Sequence, residues 1–150
     1  MLTVQQLIPI LQIAVGPVVL ISGVGLLILS MTNRLGRVID RGRSLVRELP
    51  EIPERNHAGV VGQLRILSRR ADLLQQAIIF AVFCVLFAAV LVITLFFTAA
   101  FGLEDAWLIG ALFIGALGSL ILSLVAFIRE LNQSLMAFRM DIGEWPKTKP

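Results

Sequence analysis

The chain passes from an apolar part to a charged part in the run Asn33-Arg34-Leu35-Gly36-Arg37-Val38-Ile39-Asp40-Arg41-Gly42-Arg43. No charged side chain precedes Arg34, whereas charges follow it every two or three residues. A helix that leaves a bilayer for water has this pattern, because charged side chains are costly in the hydrocarbon core. The run therefore predicts the end of a transmembrane helix, and the rest of the chain is placed relative to it.

The composition of the chain also favours a membrane protein. Hydrophobic residues make up 57% and charged residues 15%, with a mean hydropathy of +0.90, which leaves too few polar side chains to cover a soluble fold. Lipid offers no hydrogen-bond partner for the unpaired backbone groups at the edges of an open sheet, so the spans are helices. A spanning helix needs roughly 20 apolar residues, and three uncharged segments reach this length. We therefore predict an all-α integral membrane protein with three transmembrane helices. The predicted spans cover residues 11–32, 77–101 and 106–128.

The distribution of basic residues predicts the orientation. The segment 34–72 holds nine Arg and the tail from Arg129 holds the other four basic residues, so all 13 Lys and Arg fall on one side. The connection between the second and third spans offers only Glu104 and Asp105. The positive-inside bias places the N-terminus outside and the C-terminus in the cytoplasm. We expect a multi-pass protein of the cell inner (plasma) membrane, with no nucleic-acid partner.

Apolar periodicity continues beyond the spans. Residues 34–49 follow the i, i+3, i+4, i+7 pattern of a helix with one covered face. Residues 50–59 contain two Pro and one Gly and predict a turn, and residues 60–78 have the alternating spacing of a packed helix. A cytoplasmic helical hairpin is thus predicted over residues 34–76, and a cytoplasmic C-terminal helix over residues 129–142. The three spans would extend together into a cytoplasmic three-helix stalk.

Small residues on two spans predict close helix packing, since they let helix backbones approach each other in lipid. In the first span Gly16, Gly23 and Ser30 recur every seven residues. We expect this face to pack against the other two helices of the same chain. We also expect the small-residue face of the third span to pack against the first span. Contacts between the copies of a homo-oligomer, or a narrow pore lined by the first span, are the alternatives. The small residues of the third span are Ala111, Gly115, Ser119 and Ser123.

Charged residues near the predicted membrane boundary form the candidate site. One interpretation is a topology signal on a solvated face; a second is binding of anionic lipid headgroups, which each basic residue attracts by about 1 kcal/mol. A third is an ion-pair network, in which Arg34 or Arg37 pairs with Glu130 because these residues stand at the ends of spans. The candidate layer consists of Arg34, Arg37, Asp40, Arg41, Arg43, Arg69, Asp72, Arg129 and Glu130.

The sequence offers little for catalysis. His57 is the only histidine and Cys84 the only cysteine, so no zinc or haem ligand set is present. We predict no catalytic, cofactor-binding or metal site and no enzymatic activity. The expected function is structural or regulatory: a homo-oligomer whose basic boundary layer contacts lipid headgroups or a protein partner. The alternative is an oligomeric pore or channel lined by the first transmembrane helix, with Arg34 at its mouth.

Three groups of residues carry a resemblance to a known family. They are Asn33-Arg34-x-x-Arg37-x-x-Asp40-Arg41-x-Arg43, Leu67-x-Arg69-Arg70-Ala71-x-Leu73-Leu74-x-x-Ala77-Ile78 and Phe127-x-Arg129-Glu130. From the first span to about Ile142 the chain resembles the bacterial membrane proteins catalogued as domain of unknown function 2721. The resemblance implies a small inner-membrane protein with its polar signature at the cytoplasmic boundary, and it implies no activity.

Overall fold

The described part of the chain consists of three long helices. The computed structural model describes residues 4–51, 53, 57–102 and 106–143, and it describes side chains at residues 8, 9, 11–50, 53, 57–102 and 106–134. The elements are α1 (Val4–Glu48), which ends in a 3-10 turn at Leu49–Glu51, then α2 (His57–Phe101) and α3 (Ala106–Gly143).

Each predicted span forms one continuous helix with its polar extension. α1 and α2 contain 45 residues each and α3 contains 38, so at 1.5 Å per residue they are about 57 to 68 Å long, roughly twice the hydrocarbon core of a bilayer. All three are long and apolar enough to cross a membrane. The chain is therefore an all-helical membrane protein with three candidate transmembrane helices.

The outer surface of the apolar halves is covered by large apolar side chains. Leu26 is 69% exposed and Ile114 is 72% exposed, and many Ile, Val and Phe residues share this surface. An apolar surface this continuous is not tolerated on a soluble monomer, but in a bilayer it faces acyl chains. The interior of the bundle is correspondingly narrow.

The core is a seam with a seven-residue period. α2 packs against both α1 and α3, and its small buried residues, among them Ala77 and Ala81, leave room for both neighbours. This period is typical of helices that coil around each other with a left-handed twist. In α1 the buried positions with this period are Val24, Met31, Val38 and Leu45, with Ala14 also buried, and in α3 they include Ala116, Ser123 and Glu130.

The small-residue face of α1 lies outside this core, contrary to our expectation. Gly23 and Ser30 each precede a buried position by one residue, which turns them by about 100° on a helix of 3.6 residues per turn. Both are exposed, as is Gly16. A Cβ added at Gly16 or Gly23 would meet no atom within 4 Å. Gly23 and Ser30 therefore do not pack within the chain, and Gly16 borders a cavity of about 270 Å³ that residues of α2 and α3 also line.

We expected the small residues of α3 to pack against α1, but two of them, Gly115 and Ser123, pack against α2. The Ser123 hydroxyl donates a hydrogen bond to the backbone carbonyl of Ala77 at 2.7 Å. A Cβ on Gly115 would lie 3.6 Å from the ring of Phe87 in α2. Ser119 is half-buried and Ala111 is exposed. The short connection between α2 and α3 explains the pairing, because it joins helices that are antiparallel neighbours.

We call the charged extensions of the helices the polar arms: residues 34–48, 57–76 and 129–143. The arms of α1 and α2 share an apolar groove of about 440 Å³, lined in part by Val38, Val46 and Leu64. The apolar stripe predicted for α1 is thus partly buried. In the predicted C-terminal helix Leu131, Leu135, Phe138 and Ile142 have the same apolar spacing. The side chains of the last three lie outside the described residues, although the helix itself continues to Gly143.

Candidate functional site

The three helices form a pocket where their apolar halves meet the polar arms. We call it the boundary pocket. Its volume is about 330 Å³, and it opens to the outside of the bundle. Four arginines and one carboxylate supply its polar groups. The lining residues are Arg34, Arg37, Val38 and Arg41 from α1, Leu67 and Arg70 from α2, and Glu130 from α3.

Glu130 is the buried centre of this pocket. It occupies the next position of the seven-residue seam after Ala116 and Ser123, so the packing of α3 carries its side chain inward. Only 1% of the residue is exposed. Arg70 donates two hydrogen bonds to the same carboxylate oxygen, Oε1, from Nη2 at 2.9 Å and from Nε at 3.3 Å. The pair joins α2 to α3.

Arg34 approaches the other oxygen of the carboxylate. Its Nη1 lies 3.7 Å from Glu130 Oε2, so the predicted ion pair between Arg34 and Glu130 is confirmed. That distance exceeds the length of a hydrogen bond, and the guanidinium also stands over the ring of Phe127, 5.4 Å from its centroid. Oε2 is buried and has no hydrogen-bond partner in the described part of the chain.

Arg37 and Arg41 line the pocket from one face of α1, one helical turn apart. Both side chains are exposed, and neither forms an ion pair with an acidic residue of the described chain. Four arginines against one carboxylate leave the pocket with an excess of three positive charges. This charge is open to an external anion.

The rest of the predicted layer lies elsewhere. Asp40 pairs with Arg43 at 3.9 Å on the surface of α1, and both side chains are more than 70% exposed, so the pair contributes little to stability. Arg69, Asp72 and Arg129 are exposed, and none of them lines the boundary pocket. The layer that the structure brings together is therefore smaller than the predicted one.

The candidate layer omitted Arg70, the closest partner of Glu130. The signal was present in the spacing, because Arg70 precedes Leu74 by four residues and Ala77 by seven, and both are buried. It therefore lies on the α2 seam and points inward. A seam that reaches a charged residue predicts a buried partner for it on a neighbouring helix.

The chemistry of the boundary pocket favours binding of anions. A carboxylate as buried as Glu130 is costly unless it is paired, and the Arg70 and Arg34 side chains supply that pairing. The carboxylate in turn fixes both guanidinium groups at the pocket wall. In the described part of the chain no three His, Cys, Asp or Glu side chains lie close enough together to hold a metal ion.

Comparison with known proteins supports the resemblance found in the sequence. The family described as "Protein of unknown function (DUF2721)" matches residues 14–140. The match begins within the apolar half of α1, and it includes the apolar halves of α2 and α3 and every residue that lines the boundary pocket. No curated protein and no solved structure matches the chain. The chain therefore belongs to the DUF2721 family of proteins of unknown function.

Proposed function

We propose that this chain is a non-enzymatic integral membrane protein whose boundary pocket binds the phosphate of anionic phospholipids. The observation that carries the proposal is the pair Arg37 and Arg41, which line the pocket without an acidic partner in the described chain. Guanidinium groups match the geometry of phosphate oxygens and keep their charge at every physiological pH. Two of them one turn apart suit a single phosphate.

The depth of the pocket favours a lipid over a soluble anion. Arg34 is the first charged residue after the apolar half of α1, and Arg129 and Glu130 are the first after that of α3. The pocket therefore lies at the level where the hydrocarbon core gives way to headgroups. A phospholipid with its acyl chains along the exposed apolar surface would bring its phosphate to this level.

The charge asymmetry supports a cytoplasmic position for the pocket. Twelve of the 13 basic residues lie in the polar arms and the C-terminal tail, and the other, Arg55, lies in the connection between α1 and α2. Basic segments remain on the cytoplasmic side of membranes. We accordingly assign the N-terminus to the outside, the polar arms to a cytoplasmic stalk and the protein to the inner membrane of a bacterial cell. Anionic lipids in the cytoplasmic leaflet attract such segments.

The side chains that line the pocket fit a non-enzymatic role. Its polar side chains are four guanidinium groups, which do not act as bases, and Glu130, whose Oε1 is held by Arg70. A structural or regulatory role follows, in which lipid occupancy stabilises the junction of the three helices.

Lipid binding is tested by removing charge inside the pocket and, in a matched control, outside it. The full chain is purified in a neutral detergent, and its affinity for phosphatidylglycerol and for phosphatidylcholine is measured by native mass spectrometry. Arg37→Gln/Arg41→Gln is compared with Arg65→Gln/Arg69→Gln, which removes the same charge from exposed positions of α2.

We expect the wild-type chain to prefer phosphatidylglycerol. The pocket variant should bind it about 30-fold more weakly, at about 1 kcal/mol for each arginine, and the control should lose less than about threefold. Equal losses of affinity in both variants would mean that the arginines attract lipid only as a diffuse positive surface. Equal binding of the two lipids by the wild-type chain would remove the proposal.

A homo-oligomeric pore is the second candidate, and one observation favours it. Gly16, Gly23 and Ser30 lie exposed on α1 with space around both glycines. Small faces of this kind support close contact between copies, and several copies of α1 could enclose a path with Arg34 at its mouth. Native mass spectrometry from lipid nanodiscs gives the subunit number. A ring of four or more copies with a conductance altered by Arg34→Glu would favour the pore, whereas a monomer or dimer would exclude it.

A further inference from the structure

The second carboxylate oxygen of Glu130, Oε2, indicates which functional groups a ligand of the boundary pocket carries. Oε1 accepts two hydrogen bonds from Arg70, but Oε2 is buried and accepts none from the described residues. A buried acceptor without a donor is costly, and the cost is higher for a charged group. Arg34 Nη1, at 3.7 Å, is too far away to donate. The pocket therefore suits a ligand that carries both an anion and a hydrogen-bond donor.

The charge around Oε2 favours a neutral donor. A donor at hydrogen-bonding distance from Oε2 would lie close to the guanidinium of Arg34 and near that of Arg70, which binds the other oxygen of the same carboxylate. An ammonium group there would be attracted by the single carboxylate but repelled by both guanidinium groups, and charges at such distances interact strongly away from bulk water. A hydroxyl group supplies the hydrogen bond without this repulsion.

We infer that the boundary pocket selects phospholipids whose phosphodiester headgroup carries a free hydroxyl, as phosphoglycerol does, over headgroups that carry an amine or no donor. The inference rests on the proposed function. The phosphate lies against Arg37 and Arg41, and the hydroxyl donates to Glu130 Oε2. Because Oε2 is closed to solvent, the hydroxyl reaches it when the Arg34 side chain, which is 38% exposed, shifts while its guanidinium stays at the pocket wall.

The deciding comparison uses two lipids that differ in the headgroup hydroxyls and by one headgroup carbon. Phosphatidylglycerol and phosphatidylethanol carry the same phosphodiester charge, but phosphatidylethanol has no hydroxyl. Affinities of the full chain for these two lipids and for phosphatidylethanolamine are measured by native mass spectrometry. We expect phosphatidylglycerol to bind roughly tenfold more tightly than phosphatidylethanol, as one hydrogen bond to a charged acceptor predicts, and phosphatidylethanolamine to bind more weakly than either.

Two variants separate the roles of hydroxyl and phosphate. Glu130→Gln retains an amide oxygen but loses the charge of the acceptor and adds a donor, so we expect the preference for phosphatidylglycerol over phosphatidylethanol to fall below about threefold. Arg41→Gln should weaken binding of both lipids and keep their ratio. Its exposed position makes it a safe variant if Glu130→Gln fails to fold, because a ratio that changes in Arg41→Gln contradicts the division of roles.

The outcomes distinguish this inference from the proposed function. If both anionic lipids bind equally well and Arg41→Gln weakens both, the hydroxyl assignment is wrong and phosphate binding stands. If neither lipid binds better than phosphatidylcholine, both proposals fail. Glycerophosphoglycerol, the same headgroup without acyl chains, tests the source: we expect no displacement of lipid at equal concentration, and displacement would assign the pocket to a soluble phosphoglycerol.

Discussion

Replacing Arg70 with Met tests how the buried carboxylate of Glu130 is stabilised. Met keeps much of the length and apolar surface of the side chain but removes both hydrogen bonds to Oε1. At the 2.9 Å separation of Nη2 and Oε1, and with an effective dielectric constant of about 20, the Coulomb attraction that is lost amounts to about 6 kcal/mol before solvation is considered. Rehydration of the carboxylate through the open pocket and the remaining pair with Arg34 recover part of this energy. We expect a net loss of about 3 kcal/mol, at the lower end for one broken buried pair.

Two other arginines provide the comparison. Arg34→Met should cost about 1 kcal/mol, because the Arg34 pair is longer, makes no hydrogen bond and involves a side chain that is 38% exposed. Arg69→Met removes an exposed neighbour of Arg70 that lies outside the pocket, so it should change stability by less than about 0.5 kcal/mol. The predicted order of destabilisation is Arg70, Arg34, Arg69.

The assay is reversible unfolding of the purified full chain in mixed micelles, titrated with sodium dodecyl sulfate and followed by far-UV circular dichroism. Glu130→Leu and the double variant with Arg70→Met complete a double-mutant cycle, and we expect a coupling energy of about 2 kcal/mol, since residues in one ion-pair network are not additive. A loss from Arg70→Met no larger than that from Arg69→Met, or a coupling energy near zero, would refute the reasoning.

Four further substitutions, at three positions, are tested in the same assay. Ser123→Ala removes the 2.7 Å hydrogen bond to the Ala77 carbonyl, and we expect a loss of about 1 kcal/mol; no loss would mean that the bond contributes nothing net. Gly115→Ala should change stability by less than about 0.5 kcal/mol, because the new Cβ meets the Phe87 ring at an ordinary van der Waals distance of 3.6 Å. Gly115→Leu should cost about 1–3 kcal/mol by overpacking. Equal effects of the two substitutions would contradict the packing of Gly115 against Phe87. Gly102→Ala should cost about 1 kcal/mol, because Gly102 follows α2 with a φ of +67°, and this left-handed conformation strains residues that have a Cβ. A neutral result would show that the turn adjusts without strain.

Much of the architecture was predictable because it depends on the composition and period of single segments. Uncharged runs long enough to span a bilayer predicted three helices, and apolar stripes beyond Arg34 and Ile128 predicted that the helices continue past the apolar parts. Both features are local, so they require no knowledge of the neighbouring helices. The expected turn over residues 50–59 likewise follows from Pro and Gly. The structure has the 3-10 turn at Leu49–Glu51 there, but α2 begins at His57, three residues earlier than expected.

The candidate site was only partly predictable. The pairing of Arg34 with Glu130 followed from their common level at the ends of two spans. The exposed Asp40–Arg43 pair shows why charge spacing alone misleads, since residues three apart on a helix pair on its surface as readily as near a pocket. Which charges are buried depends on the face that the partner helix covers.

The sequence by itself determined the helical class, the approximate extents of the three helices, the end of each helix at which the charges lie and the level along the helices at which the boundary pocket forms. Only the tertiary structure decided which helix faces meet. A shift of one residue turns a helical side chain by about 100°, so Gly23 and Ser30 face outward while Val24 and Met31 form the core. The choice of helix faces also places Arg70 against Glu130 and leaves Oε2 without a hydrogen-bond donor among the described residues. Spacing along one helix limits these faces, but the helices packed against it select among them.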